Sequence, residues 1–331
     1  MAGLILPPEP PADAEFAAAA HTRAAELLYY SPYNFLRRIA PDRQLAALVA
    51  PRLDDHRRHV GAHRVFRTEA AGQTYFFLYA QLAWDSAFFN RPVFRLYTVL
   101  FARPDVPGLT LATHEFRRAV LGRHPGAHCF GEVPSEDVAV LQGLSRAGFG
   151  LVETRAFFYH DAVSTFAQPR YPVRRAGPAD AARVGEVAAT ARNPYDRFHA
   201  DAALAGADGD RFLRAYAEAA VRGYCDAVLV PDEALAGEPL DSFLAISDLA
   251  ADAALLDVRL ARVILTAVGP ANRGWHQKLV TETLHYARQR GADYALMTTQ
   301  TTNRAVFRTA EKLGWKLGGT GHVLSCESAR S

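Results

Sequence analysis

The chain has 331 residues, half of them hydrophobic and 22% charged, with a formal net charge of +2. That composition excludes a disordered or fibrous chain and leaves room for two domains or one elaborated domain, while near-neutrality neither demands nor excludes a polyanionic partner. Three cysteines, Cys129, Cys225 and Cys326, form no C-x-x-C pair; this argues against a zinc site or disulfide framework, predicts no metal, and fits a reducing cytoplasm.

The Pro-rich start "MAGLILPPEPPADAEF" has no basic segment followed by an apolar core. No apolar run reaches the roughly 18 residues of a membrane span, so a cytoplasmic protein with no membrane partner is expected. Residues 14 to 60 read as helices, "AEFAAAAHTRAAELL" and "RQLAALVAPRL", around the turn "YYSPYN". Their arginines, Arg37, Arg38, Arg43, Arg52, Arg57 and Arg58, suit a solvated helical face or a polyanion-facing patch.

From residue 63 the texture turns to short strands, "HRVFRTE", "TYFFLYAQLAW" and "PVFRLYTVLF", then a helix "LATHEFRRAVLGRH" and a strand near "HCFGEV". A helix "SEDVAVLQGLSRAGF", opened by a Ser-x-Asp cap, and a strand "LVETRAFFYH" follow. In "WDSAFFN", Trp84, Phe88 and Phe89 at near-helical spacing suit a core, and Asp85 and Ser86 a turn. A proline-bearing linker, "VSTFAQPRYPVRRAGPAD", separates this lobe from a second. The expected division is a helical extension over 1–62, a first lobe over 63–165 and a second over 172–331.

The second lobe reads as helices at 180–192 and 208–222, strands "CDAVLV" and "SFLAIS", and a long strand ending at Val268. In "ILTAVGPANRGWHQKLVTETL" a strand meets a Gly-Pro turn and then a helix with Leu279, Val280, Thr283, Leu284 and Ala287 on one face, ended by Gly291. Backbone N–H groups gather at such a helix start, where an anion can sit. A strand "YALMTT", a helix capped by Asn303 and stopped by Gly314, and a strand "GTGHVLSC" complete a mixed-sheet α/β order. No G-x-G-x-x-G or Walker loop is present, which disfavours the nucleotide folds built on them.

The order of these elements, with "LAWDSAFFNRPVFRL", "EVPSEDVAVLQGLSRAGFGLVETR", "DRFHAD" and "TTQTTNRAVFRTAEKLGW", resembles the GNAT superfamily of N-acyltransferases over residues 63 to 327. Within it the chain is most similar to bacterial amino-sugar acetyltransferases of the dTDP-fucosamine type. The resemblance implies a two-lobed GNAT fold, a mixed twisted sheet flanked by helices, with a truncated N-terminal lobe and a catalytic C-terminal lobe. It also implies a splay between two strands that admits an acyl-pantetheine arm, at Ala267 and Val268 on one side and Thr299, Gln300 and Asn303 on the other. The Val268 N–H would polarise the acyl carbonyl. Asn303 is also a plain helix cap.

The same resemblance aligns Arg273, Gly274, Trp275, His276, Gln277 and Lys278 with a diphosphate loop of the pattern Arg/Gln, two residues, Gly, one residue, Gly/Ala. His276 and Lys278 then replace the two small residues, and with Arg273 and Gly274 they form the expected donor-binding set. A tyrosine that serves the amino-sugar enzymes as general acid is replaced by Ala310, and an expected asparagine by Ala219. Arg197 and Asp201 of "DRFHAD", with Asp85 as a weaker candidate, are the expected acceptor contacts, and His199 or His322 the expected proton relay. A structural Arg–Asp loop and a satisfied sheet histidine are the alternatives for these positions.

The resulting expectation is a direct-transfer, amide-forming N-acyltransferase acting on a small-molecule amine. A carrier-protein thioester or an aminoacyl-tRNA is preferred to free acetyl-CoA, because neither presents an adenosine diphosphate to the loop. An ordinary acyl-CoA-dependent amino-sugar N-acetyltransferase and a non-catalytic GNAT-fold binding protein are the alternatives.

Overall fold

A computed structural model describes residues 13–191 and 193–329; the first prolines of the Pro-rich start and Arg192, the expected end of one helix, lie outside them. The strands are β1 His63–Ala70, β2 Gln73–Gln81, β3 Val93–Leu100, β4 His128–Pro134, β5 Gly150–His160, β6 Val173–Arg175, β7 Ala227–Pro231, β8 Ser242–Ser247, β9 Leu260–Val268, β10 Tyr294–Gln300 and β11 Lys316–Glu327. Helices of eight or more residues are α1 Asp13–Thr22, α2 Ala50–Arg57, α3 Val106–Ala119, α4 Val138–Arg146, α5 Ala181–Thr190, α6 Gly206–Ala219, α7 Trp275–Gln289 and α8 Arg304–Lys312.

The chain divides into two units, Met1–Val152 with Gly321–Ser331, and Glu153–Thr320. The units do not follow the chain-order segments expected at 63–165 and 172–331, because each takes in the last strand of the other segment, β11 in the first unit and β5 in the second. The first unit orders its strands β1-β2-β3-β4-β11, with Gly321 to Glu327 of β11 antiparallel to β4. The second is ordered β5-β10-β9-β8-β7-β6, with Arg155 to His160 of β5 antiparallel to β10.

Strand β2 reads almost uniformly apolar because both of its faces are covered. Tyr75, Phe77 and Tyr79 pack with Leu109, Ala112 and Phe116 of α3 and Val140 and Leu144 of α4. Phe76 and Leu78 pack with Phe16, Leu27, Val49 and Leu53 of the N-terminal helices, so that segment is part of this unit's core. In the second unit Leu244 and Ile246 meet Trp275, Leu279, Val280 and Leu284 of α7, while Phe243 and Ala245 meet Val184, Val187 and Ala188 of α5 and Ala217 of α6. The apolar stripe of α7 is the one its 3.6-residue period requires, and Gly291 closes it with φ of 68°.

Two local expectations are overturned. Asp137 does not cap α4; it pairs instead with the buried Arg23 and accepts from the Tyr30 hydroxyl at 2.7 Å. "WDSAFFN" forms a short helix, Ala83–Phe88, with no buried residue; Trp84 is 55% exposed and stacks on Phe88 at 5.2 Å rather than joining the core, while Phe89, just past the helix, packs as expected against Val93, Phe130 and Val323.

The two units repeat one device. In each, a strand pairs in parallel with its neighbour for only a few residues before the two diverge: Val93–Leu96 with His128–Gly131, and Leu260–Arg262 with Tyr294–Leu296. In each, an extra residue interrupts the ladder on the other side of the diverging strand. The register passes from Leu78–Thr98 to Tyr79–Leu96 and from Ala245–Leu265 to Ile246–Val263, which leaves Tyr97 and Ile264 as bulges. A bulge bends its own strand and increases the twist, which is the physical cause of the splay.

What fills the splay differs. In the first unit Arg23, 2% exposed, donates to the Val99 carbonyl, pairs with Asp137 and lies 4.3 Å from the Phe101 ring centroid. In the second, the same position is a cavity.

Candidate active site

The cavity between β9 and β10 has a volume of about 500 Å³ and lies wholly within the second unit. Its walls include Thr266 and Ala267 of β9, Thr298, Thr299 and Gln300 of β10, Asn303, His276, and Glu153 with Arg155 of β5. Backbone polarity in the gap follows from the outer ladders. The Gly269 N–H donates to the Asp241 carbonyl at 2.6 Å, so alternation turns the N–H and C=O of Val268 and Thr266 away from β8, toward β10. The Thr301 N–H donates to the Thr154 carbonyl at 2.8 Å, which turns the N–H and C=O of Thr298 and the N–H of Gln300 toward β9, while the Gln300 carbonyl accepts from the Asn303 N–H at 3.0 Å. Past Arg262 and Leu296 the two edges no longer pair with each other, so an extended ligand can bond to both as an added strand would.

The turn at one end of the gap is held by Asp241, which sequence reasoning missed. Its carboxylate accepts from the Ala271 N–H at 2.9 Å and from Arg183 at 2.9 Å. The fully buried Asn272 accepts from the Asp241 N–H and the Ser242 hydroxyl, at 3.1 and 2.8 Å. Gly269 is required here, because a Cβ would run into the Asp241 carboxylate.

Helix α7 begins at Trp275, and Gly274 stands at its N-cap with φ of 93° and open space where a Cβ would point. One bare backbone position therefore survives in the loop, at Gly274. Lys278 lies inside the first turn, with its ammonium 4.3 Å from the Trp275 ring centroid. Trp275 itself is 1% exposed and anchors the helix. His276 turns into the cavity wall, where one ring nitrogen, Nδ1, bonds Thr309 at 3.1 Å and the other, Nε2, is buried without a partner. Burial pushes its pKa down to about 4, so it is a neutral imidazole at physiological pH.

These observations test the fit of a coenzyme A-like donor. The splay suits a pantetheine arm, and Gly274, the uncapped start of α7 and the exposed Arg273 suit a phosphate. A second bare residue for a diphosphate is not present, since His276 stands two residues on.

The other expected residues separate. Thr299 and Gln300 line the cavity, and Asn193, not anticipated, donates to the Gln300 side chain at 2.9 Å. Asn303 both lines the cavity and caps α8 through the Val306 N–H. Arg197 lines it too, with its guanidinium 4.5 Å from the Phe198 ring centroid. Phe212 and Tyr216 of α6 add an aromatic wall, and burial raises the Tyr216 phenol well above its ordinary value.

His199 is not among the lining residues. Both of its ring nitrogens face carboxylates, Nδ1 Asp196 at 2.8 Å and Nε2 Asp210 at 3.1 Å, so neither is turned toward the cavity and its geometry lends no support to the reading of it as a base. Asp201 is buried and accepts from the Ala203 N–H at 3.0 Å, a turn rather than an acceptor contact. His322 and Asp85 belong to the first unit, where His322 bonds the Ser135 hydroxyl at 3.0 Å. The readings of both as parts of this cavity are not supported.

Glu153 and Arg155 were not anticipated either. They stand two apart on β5, so the strand's alternation aims both at the cavity. The signal in the sequence is a charged pair on one face of a strand whose other face carries Ala156 and Phe158 in the core.

No protein-family model matches the chain, and no curated protein matches it. Among solved structures it is similar to a GCN5-related N-acetyltransferase from Sphaerobacter thermophilus, with TM-score 0.55 and 12% identity over 95% of each chain. A GCN5-related N-acetyltransferase from Kribbella flavida aligns with TM-score 0.47 and 14% identity over 85% of this chain and 95% of that one. A tandem GNAT protein from the clavulanic acid biosynthesis pathway aligns with TM-score 0.46 and 13% identity over 98% of each. The bulged, splayed sheet and the likeness to the Sphaerobacter protein identify the fold as that of the GCN5-related N-acetyltransferases.

Proposed function

We propose that the protein is an amide-forming N-acyltransferase that draws its acyl group from a phosphopantetheine arm laid between β9 and β10. The observation that carries this reading is the pair of unpaired backbone edges at Thr266 of β9 and Thr298 of β10, which open on one cavity, with the Val268 N–H at the end of β9 turned the same way as that of Thr266. The Val268 N–H is a donor fixed in place before any ligand arrives, and such a group stabilises an oxyanion at little reorganisation cost. A primary amine attacks the carbonyl directly. No cysteine or serine is called on as a nucleophile: Cys225 is buried, and burial raises its thiol pKa.

A carrier-protein thioester is preferred to free acetyl-CoA, since the loop supports one phosphate at Gly274 and Arg273 better than a diphosphate crossing His276. An aminoacyl-tRNA donor has less support. Arginines of the segment that would hold its backbone pair with carboxylates: Arg57 and Arg58 with Asp54, and Arg67 with Glu15 and Glu69. The acceptor would be a small amine meeting Arg197, Asn193 and the aromatic wall.

Calorimetric titration with acetyl-CoA, a holo carrier protein and bulk aminoacyl-tRNA tests the donor. Tightest binding by the holo carrier, with thiol release when a primary amine is added, is the expected result. Micromolar acetyl-CoA binding that equals or exceeds it overturns the donor preference, and no binding by any of the three overturns the enzyme reading.

A further inference from the structure

A second cavity, of about 710 Å³, lies wholly within the first unit, at the end of the sheet where β3 and β4 are still paired. Alternation along the strands turns Arg64 and Phe66 of β1, Tyr79 and Gln81 of β2 and Phe94 of β3 to the face that α3 covers. Helix α3 stops at Ala119, and Arg123 and His124 of the turn that follows stand on the cavity wall. The Phe94 ring centroid lies 6.2 Å from that of Tyr79 and 5.3 Å from that of His124, so one part of the wall is aromatic. Every polar side chain on the wall carries a hydrogen-bond donor, and none of its residues is Asp or Glu. Arg67 is paired with Glu15 and Glu69, but the others are not. Arg64 donates through Nη1 alone, to the Gly61 and His63 carbonyls at 2.8 and 2.6 Å and to that of His59 at 3.4 Å, which anchors it while its other nitrogens make no hydrogen bond among the described residues. Arg123 has neither an ion pair nor a hydrogen bond among them, and the Tyr79 hydroxyl has no hydrogen bond although the residue is 9% exposed. Arg64 and Tyr79 are direct partners across the β1–β2 ladder. Burial raises the Tyr79 phenol above its ordinary value against the nearby charges of Arg64 and Arg123, so it stays a protonated donor at neutral pH.

From this we infer that the first unit binds a small amphipathic anion, a carboxylate or phosphate carried on an aromatic or alkyl body. The head meets Arg123, Arg64 and the Tyr79 hydroxyl, and the body lies against Phe66, Phe94 and Val120. A single arginine in water gains little from an anion. Two guanidinium groups and a hydroxyl that converge beside an aromatic wall gain more, because the wall excludes water and the planar forks hold two oxygens at once. The carbonyl end of α3 opposes this with about half a negative charge, which two full positive charges outweigh. A cationic ligand would find no carboxylate to meet it. The volume is that of an ordinary small-molecule site, roughly 300 to 1,000 Å³. Nothing in the assignment draws on the acyltransferase reading, since the cavity shares no residue with the one between β9 and β10.

The test is calorimetric titration of the full chain, at constant ionic strength, with sodium phenylbutyrate, phenyl phosphate, phenylbutanol and phenylbutylammonium chloride. The place of binding is read from the His124 imidazole resonance, identified by its absence in His124→Gln. Saturable binding of the carboxylate, the phosphate or both is expected, with a shift at His124, and the alcohol and the ammonium should bind at least about tenfold more weakly. The tighter of the two anions identifies the headgroup. Arg123→Gln removes a side chain with no partner among the described residues, and Tyr79→Phe keeps the ring, so both variants should fold. Each should weaken anion binding by about tenfold or more and leave the alcohol unchanged. An alcohol that binds as tightly as the anions overturns the assignment and leaves only an apolar surface. Anion affinity in Arg123→Gln within roughly twofold of wild type overturns it as well, and so does the lack of a saturable His124 shift with either anion at about 10 mM.

Discussion

Replacing Arg23 by methionine tests whether the first unit's splay is locked by a desolvated ion pair. Arg23 and Asp137 are each 2% exposed, and Asp137 retains only the Tyr30 hydroxyl when the guanidinium is removed. Breaking a buried pair by deleting one partner costs about 3–5 kcal/mol, roughly a hundred- to several-thousand-fold in the folding constant. The Val99 carbonyl loses its donor as well. Replacing both partners, in Arg23→Met with Asp137→Leu, removes the stranded charge. What is left is an unmet Val99 carbonyl, since the Thr98 hydroxyl remains beside that of Tyr30, so the double variant should recover to within about 2 kcal/mol of wild type. Hydrogen exchange of β3 and β4 amides under increasing urea reads this in the first unit alone. The reasoning is refuted if Arg23→Met costs less than about 1 kcal/mol, or if the double variant is as unstable as the single one.

Deleting Ile264 removes the bulge and should return β9 to the β10 edge; donor binding is then lost while stability stays within about 1 kcal/mol or rises, as calorimetry and denaturation would read. Gly269→Ala should cost about 2 kcal/mol or more, because the added Cβ displaces the Asp241 carboxylate that holds the turn, and donor binding should weaken with it. His56, 2% exposed and stacked on Tyr97, has its pKa pushed by burial to about 4. The unfolded chain therefore binds the extra proton first. Stability is unaffected above about pH 6.5 and falls by about 3 kcal/mol as pH drops through the window to 4; His56→Gln should flatten that slope in urea titrations.

Much of the second unit was legible because local rules agree there. "SFLAIS" is β8 end to end, the long strand does stop at Val268, and the face of α7 named from its period is buried. Gly291 and Gly314 take the left-handed conformation their positions as helix stops require, at φ of 68° and 77°. The bulge at Ile264 was not legible, since "ARVILTAV" shows no strict polar–apolar alternation for one extra apolar residue to disturb. Nor was the fate of His199, whose second carboxylate comes from Asp210, at the start of another helix. The Ser-x-Asp cap failed for a related reason: a cap is a local rule, and a buried arginine far along the chain outbid it. The aromatic spacing of "WDSAFFN" named a helix face correctly but not the side of it that meets solvent.

The exchange of final strands has a consequence for how the molecule is made. The outer edge of β4 waits for Gly321 to Glu327 of β11, which emerge only after the whole second unit has been synthesised. At about 5–20 residues per second that edge stands unpaired on the ribosome for roughly 10–40 seconds, a template for any other strand it meets. Of the two units, the one begun earlier is thus the one completed later, and loss of Gly321 to Glu327 strikes that earlier unit rather than the one translated just before them.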